Sequence, residues 1–82
     1  MKPIRLTRHA RNRMRWHEIS EELIEQTVRL PEWEESSVAG RVNRWKRVGD
    51  RFLRVTCRVE PGRIVVISGV FKRKAPKRRD VP

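Results

Sequence analysis

Two histidines, His9 and His17, are the side chains of this 82-residue chain that titrate near neutrality when unperturbed. His9 stands among Arg5, Arg8 and Arg13, at the start of a segment read below as a helix. The positive end of the helix dipole and the neighbouring guanidinium groups both favour the neutral imidazole, the form able to act as a base. Cleavage of RNA by its own 2′-hydroxyl requires a base, a proton donor for the leaving 5′-oxygen and cations around the five-coordinate phosphate. His9 as acid/base, with Arg13, Arg54 and Arg58 as phosphate stabilisers, supplies those groups provided the fold brings them together. Otherwise His9 caps or packs at the helix start.

Other chemistries lack their residues. His9 and His17 are eight apart and do not face together on a helix, and Cys57 is the one cysteine, so neither a metal set nor a disulfide is in prospect. The chain has no glycine-rich phosphate loop, no Ser/His/Asp set and no dinucleotide fingerprint, and no cofactor is implied.

Charge points to an acidic polymer as partner, with RNA foremost. Net charge is +11, and arginine outnumbers lysine 16 to 5. A guanidinium forks onto phosphate and stacks on bases, which an ammonium does not. Residues 1–17 hold six bases and no acid, and residues 36–82 hold fourteen bases and three acids. Between them, residues 18–35 carry seven glutamates against Arg29, a solvated face or a patch that repels nucleic acid. A merely well-solvated surface is the alternative.

The elements that must position these groups are legible. Thr7 is an N-cap for a helix over 8–17 with Ala10 and Met14 on its apolar stripe. Ser20 caps a second helix over 21–30, with Glu21 and Glu22 at its positive end and Pro31 stopping it. Ile19 packs between the two. A weak strand over 33–38 and stronger ones over 41–48, 51–60 and 63–72 follow. Gly49-Asp50 suits a type II′ turn, and Pro61-Gly62 the centre of a type II turn. The fold expected is α+β, two N-terminal helices on a three- to four-stranded antiparallel meander. It forms a single domain over 1–72 with a basic tail over 73–82.

Two-residue periodicity then sorts the strand residues. One face gathers Val42, Val48, Leu53, Val55, Cys57, Val59, Ile64, Val66 and Val70 as the seat for the helices, with Arg44 and Lys46 intruding near an edge. The other gathers Arg41, Asn43, Trp45 and Arg47 opposite Phe52, Arg54, Thr56 and Arg58, with Val65, Ile67 and Phe71 beyond. Arginines interleaved with rings suit single-stranded nucleic acid, phosphates on the cations and bases on the rings. Arg8, Arg41, Trp45, Arg47, Lys72, Arg73 and Lys74 are the expected nucleic-acid contacts. Two alternatives stand: a second small core ringed by arginine stems, or a groove for an acidic amphipathic protein segment. The longest apolar run, Ile64–Ile67, is far shorter than a membrane span, and a lone cysteine in an apolar alternation fits a reducing cytoplasm.

The string Arg8-His9-Ala10-Arg11-Asn12-Arg13-Met14-Arg15, followed by Ile19-Ser20-Glu21-Glu22, resembles a family of small bacterial proteins known as a domain of unknown function, marked by His-Ala and then Arg-Met. The likeness continues through Gly40-Arg41, Leu53-Arg54-Val55 and Gly62 to Ser68. More distantly the layout is similar to BrnT-type and RelE/ParE-type toxins of toxin–antitoxin pairs. His17-Glu18-Ile19 stands where the BrnT pattern has His-Gly-Ile. The resemblance implies a small α/β toxin fold, RNA cleavage without metal, RNA or ribosome-bound mRNA as substrate, and an acidic antitoxin covering the same surface. The chain has no tyrosine, which RelE-type enzymes often use near the C-terminus.

Overall fold

The computed structural model describes residues 1–76. Each helix begins where its capping residue stands. Thr7 Oγ1 accepts the Ala10 N–H at 3.1 Å to open α1 (Arg8–His17), and Ser20 Oγ accepts the Leu23 N–H at 3.1 Å to open α2 (Glu21–Arg29). These bonds satisfy amide groups the helix cannot. The strands are β1 (Ile4–Leu6), β2 (Trp33–Ser36), β3 (Val42–Val48), β4 (Arg51–Val59) and β5 (Ile64–Lys72).

The sheet is five-stranded and mixed, in the order β1-β5-β4-β3-β2, rather than the antiparallel meander of three or four strands expected from the sequence. The difference is β1, which pairs parallel to β5. Three residues are too short for an alternation pattern to register, and the partner strand lies at the far end of the chain.

Both helices lie on one face. Ala10, Met14, Ile19, Ile24 and Val28 pack there against Leu53, Val55, Cys57, Ile64 and Val66, all buried. A bulge changes the rest of the expected face assignment. Cys57 pairs with Val66 but Thr56 pairs with Ser68, so Ile67 is an extra residue in β5 and the alternation beyond it inverts. Phe71 therefore joins the helix-side core, while Val70 moves to the opposite face beside Arg54. Gly69 also turns inward, and a Cβ there would stand 3.2 Å from Ile24 Cδ1, so α2 approaches the sheet where a side chain is missing.

Of the two turns, the β3–β4 hairpin keeps its expected form. Val48 pairs with Arg51 across Gly49-Asp50, and Gly49 alone of the two has positive φ, +62°, as type II′ requires. Gly62 does not adopt the left-handed φ of a type II turn; the Glu60 N–H instead donates to the Arg63 carbonyl across the loop at 2.8 Å.

Helix α1 ends on a left-handed residue that is not glycine. Glu18 has φ 54° and ψ 47°, and its N–H and that of Ile19 return to the Arg15 and Met14 carbonyls. This is a Schellman closure, with buried Ile19 as its apolar contact. An L side chain in that region costs about 1–2 kcal/mol, and glycine avoids the cost while losing some unfolded-state entropy. Glu18→Gly is expected to stabilise the fold by about 0.5–1 kcal/mol. Thermal unfolding checks this; a lower midpoint would show that the glutamate side chain contributes more than its backbone strain costs.

Cys57 is fully buried, and burial pushes its thiol pKa up against the pull of Arg44, with Glu34 adding to the push. The folded chain thus holds this proton more tightly than the unfolded chain. Its contribution to stability is intact below the unfolded thiol pKa of about 8.5 and declines as pH rises past it. A thiol reagent at mildly alkaline pH is expected to label Cys57 slowly in native buffer and rapidly in denaturant. Equal rates would place the thiol outside the core.

Candidate nucleic-acid interface

Neither helix lies on the second face of the sheet, and cross-strand register sets its side chains in rows. Trp33, Trp45, Arg54 and Val70 form one row; Glu35, Asn43, Thr56 and Ser68 form the next. Arg47, Phe52 and Lys72 stand to one side of these, and Arg58, Val65 and Arg5 to the other. Alternation continued one residue beyond β3 adds Arg41 to the same face.

A polar chain stiffens the centre. Trp45 Nε1 donates to Glu35 Oε1 at 2.9 Å, and Asn43 Nδ2 reaches the same oxygen at 3.5 Å. Thr56 Oγ1 donates to Asn43 Oδ1 at 2.7 Å. Trp33 and Phe52 meet edge to face, 5.7 Å between ring centroids, and the Arg54 guanidinium lies 5.8 Å from the Trp45 ring. Trp45, expected to stack on a base, is only 5% exposed and spends its N–H on Glu35. It supports Arg54 from beneath. Trp33 and Phe52 are half-buried and keep accessible edges. Val65, placed on this face by its alternation, is 5% exposed between Arg5 and Arg58.

The arginines differ in what holds them. Arg58 Nε donates to Glu60 at 2.9 Å and Arg63 Nε to the same carboxylate at 2.8 Å. Hydrogen bonds from Arg63 and then Arg58 hold the Glu60 carboxyl below its usual pKa, so the cluster persists until pH falls through that lowered value. Arg47 Nε donates to the Gly49 carbonyl at 3.1 Å. Arg41 and Arg54 are different: the Nε of each is enclosed and has no hydrogen-bond partner among the described residues. An enclosed donor without an acceptor costs about 1–3 kcal/mol, more when charged. The two positions lie about 13 Å apart along the strand direction, too far for one phosphate to serve both.

Arg44, which does intrude on the helix side, has two partners among the described residues. Its Nε donates to Glu34 at 2.8 Å and its Nη1 to the Val28 carbonyl at 2.7 Å, closing the last turn of α2.

The four residues of the expected cleavage set do not meet. Arg54 and Arg58 belong to the helix-free face, while His9 and Arg13 are exposed on α1, which packs on the other side through Ala10 and Met14. Arg8 is exposed on α1 with them. Lys72 sits in the Phe52 row. Arg73 lines an open cleft of about 540 Å³ with Asp50 and Arg51, and Lys74 is exposed nearby in sequence. The remainder of the expected tail, residues 77–82, lies outside the described residues.

Sequence reasoning missed Glu35, Trp33 and Arg5. Glu35 was grouped with solvated acids, and only the β2–β3 register shows it facing Asn43 and Trp45. Arg5 enters through the unforeseen strand β1. No helix among the described residues is long and apolar enough to cross a membrane. Comparison of the chain with known protein families, with curated proteins and with solved structures found no match.

Proposed function

We propose that this chain is a toxin-like RNA-binding protein that holds single-stranded RNA across the helix-free face of its sheet. One observation carries the reading: Arg41 and Arg54 are half-buried in that face with stems fixed by enclosed Nε groups, and neither guanidinium has a hydrogen-bond partner among the described residues, which leaves their outer Nη groups to meet an anion. A phosphodiester strand offers anionic acceptors at successive positions, and half-buried Trp33 and Phe52 add aromatic surface beside them. The resemblance to RelE- and BrnT-type toxins supports RNA as the polymer and a cytoplasmic setting. An acidic antitoxin-like segment would compete for the same face.

Holding is favoured over cutting, because His9 and Arg13 stand on the opposite side of the sheet from Arg54 and Arg58. The test is a fluorescence-anisotropy titration with an unstructured oligoribonucleotide over a range of salt, with a gel run on the same samples in EDTA. Five phosphate contacts, from Arg5, Arg41, Arg47, Arg54 and Lys72, give an expected log–log salt slope of about −3.5. Absent or salt-insensitive binding removes the proposal. Product accumulating in EDTA, and lost in His9→Ala, would assign endoribonuclease activity instead.

A further inference from the structure

The outward side of α1 has no part in the sheet-face site, yet it is strongly cationic. Within ten residues α1 carries Arg8, Arg11, Arg13 and Arg15 and no acid, and all four are exposed. Trp16 is 81% exposed on the same helix, with Asn12 exposed one turn before it. Among the described residues, Arg11 alone of the four has a carboxylate near it, Glu21 at 3.6 Å, between two exposed side chains.

Such a helix works against itself. Arg8 with Arg11, and Arg11 with Arg15, are like charges at helical-neighbour spacing, each pair costing a few tenths of a kcal/mol. The helix is maintained by the Thr7 cap, the closure at Glu18 and the burial of Ala10 and Met14. None of these requires arginine on the outside. A large ring left in solvent, with Arg13 one turn before it and Arg8 and Arg15 on the same outward side while Arg11 takes the other flank, has the composition of a stacking and phosphate-binding surface. The surface is also separate from the first. It faces away from the sheet, while Arg41 and Arg54 are on the sheet's far side, in a molecule whose smallest extent is 22 Å.

We infer that the outer face of α1 is a second RNA-binding surface, and that one copy of the chain bridges two RNA segments, one on the sheet and one on the helix. This rests on the proposal that the sheet face holds RNA. Its occupant is the phosphate backbone of a second RNA segment, selected by four cations with no acid on the helix.

The test uses the full chain at a concentration where light scattering reports a monomer. A biotin-tagged unstructured oligoribonucleotide on beads is loaded with protein, and capture of a second, fluorescent oligoribonucleotide of unrelated sequence is measured. The wild type is expected to capture the second strand. The variant Arg8→Gln/Arg13→Gln/Arg15→Gln/Trp16→Ala, altered at exposed positions alone, is expected to retain the first strand within about threefold and to lose capture at least tenfold. Circular dichroism confirms that it folds, and Trp16→Ala alone serves as the milder second variant. Binding of the first strand without capture of the second overturns bridging and leaves the sheet-face site standing. Capture confined to a dimeric fraction, or undiminished in both variants, also overturns it. No binding of the first strand overturns both readings.

Discussion

Exchanging Arg41 and Arg54 together for methionine is expected to weaken binding of unstructured RNA by about a hundredfold while leaving the fold at least as stable as before. The affinity loss follows from removing two charge-assisted contacts, for which tenfold each, about 1.4 kcal/mol, is a conservative share. Two phosphate contacts fewer should also flatten the log–log salt slope by about 1.4. The stability half of the prediction has the less usual sign. Methionine keeps an unbranched stem over Trp45 and removes an enclosed donor that has no acceptor among the described residues. The cation–π contact that Arg54 loses is worth about 0.5–1 kcal/mol, whereas each unpartnered donor costs about 1–3 kcal/mol. Relief therefore outweighs loss. Anisotropy titrations at several salt concentrations and a thermal melt measure both halves. A destabilised variant with wild-type affinity would make the two arginines scaffold and move the RNA site elsewhere.

Leu53→Ala is expected to cost about 2–5 kcal/mol, a large share of the stability of this fold. Leu53 is fully buried at the middle strand of five, paired across the sheet with Lys46 and Phe71 and covered by the helices. Neighbours anchored on three sides cannot collapse into the space it leaves. An ordinary domain of this length has roughly 4–12 kcal/mol in total, so the change removes a large fraction of it. The melting midpoint should fall by about 10–30 °C, and a fraction of the chain should be unfolded at growth temperature. Chemical denaturation with the slope held fixed measures the loss directly. A cost under about 1 kcal/mol would mean that the core repacks around β4 more freely than this register permits.

What could be read in the sequence was what local chemistry determines. Thr7, Ser20 and Pro31 delimit two helices because caps and breakers act within a few residues, and both helices begin where those residues stand. The hairpin at Gly49-Asp50 was legible for the same reason. Features settled by distant partners were not. Nothing local marks Ile4–Leu6 as a strand, since its pairing is with Ile64–Val66. Nor does anything in the run Val65 to Ser68 mark Ile67 as the bulge, because every residue there suits a strand. That one unreadable residue carried Phe71 to the wrong face on paper. The candidate site was legible in part. Its arginines follow from parity along β3 and β4, but the pairing of Arg58 with Glu60 and the isolation of Arg41 and Arg54 depend on side-chain placement that alternation does not encode.

The parallel pairing of β1 with β5 has a consequence for the order of events during synthesis. The first strand leaves the ribosome long before its partner exists. Thr7, which opens α1, also donates to the Ile67 carbonyl at 3.3 Å, a residue 60 positions later. Until Ile64–Val66 are made, β1 and the arginine helix that follows it have no sheet edge to settle against. Non-local closure of this kind is slow, and it comes last. Completing β5 is thus what seats β1 and, through Thr7, the start of α1, so both arginine-bearing surfaces take their final form together and late.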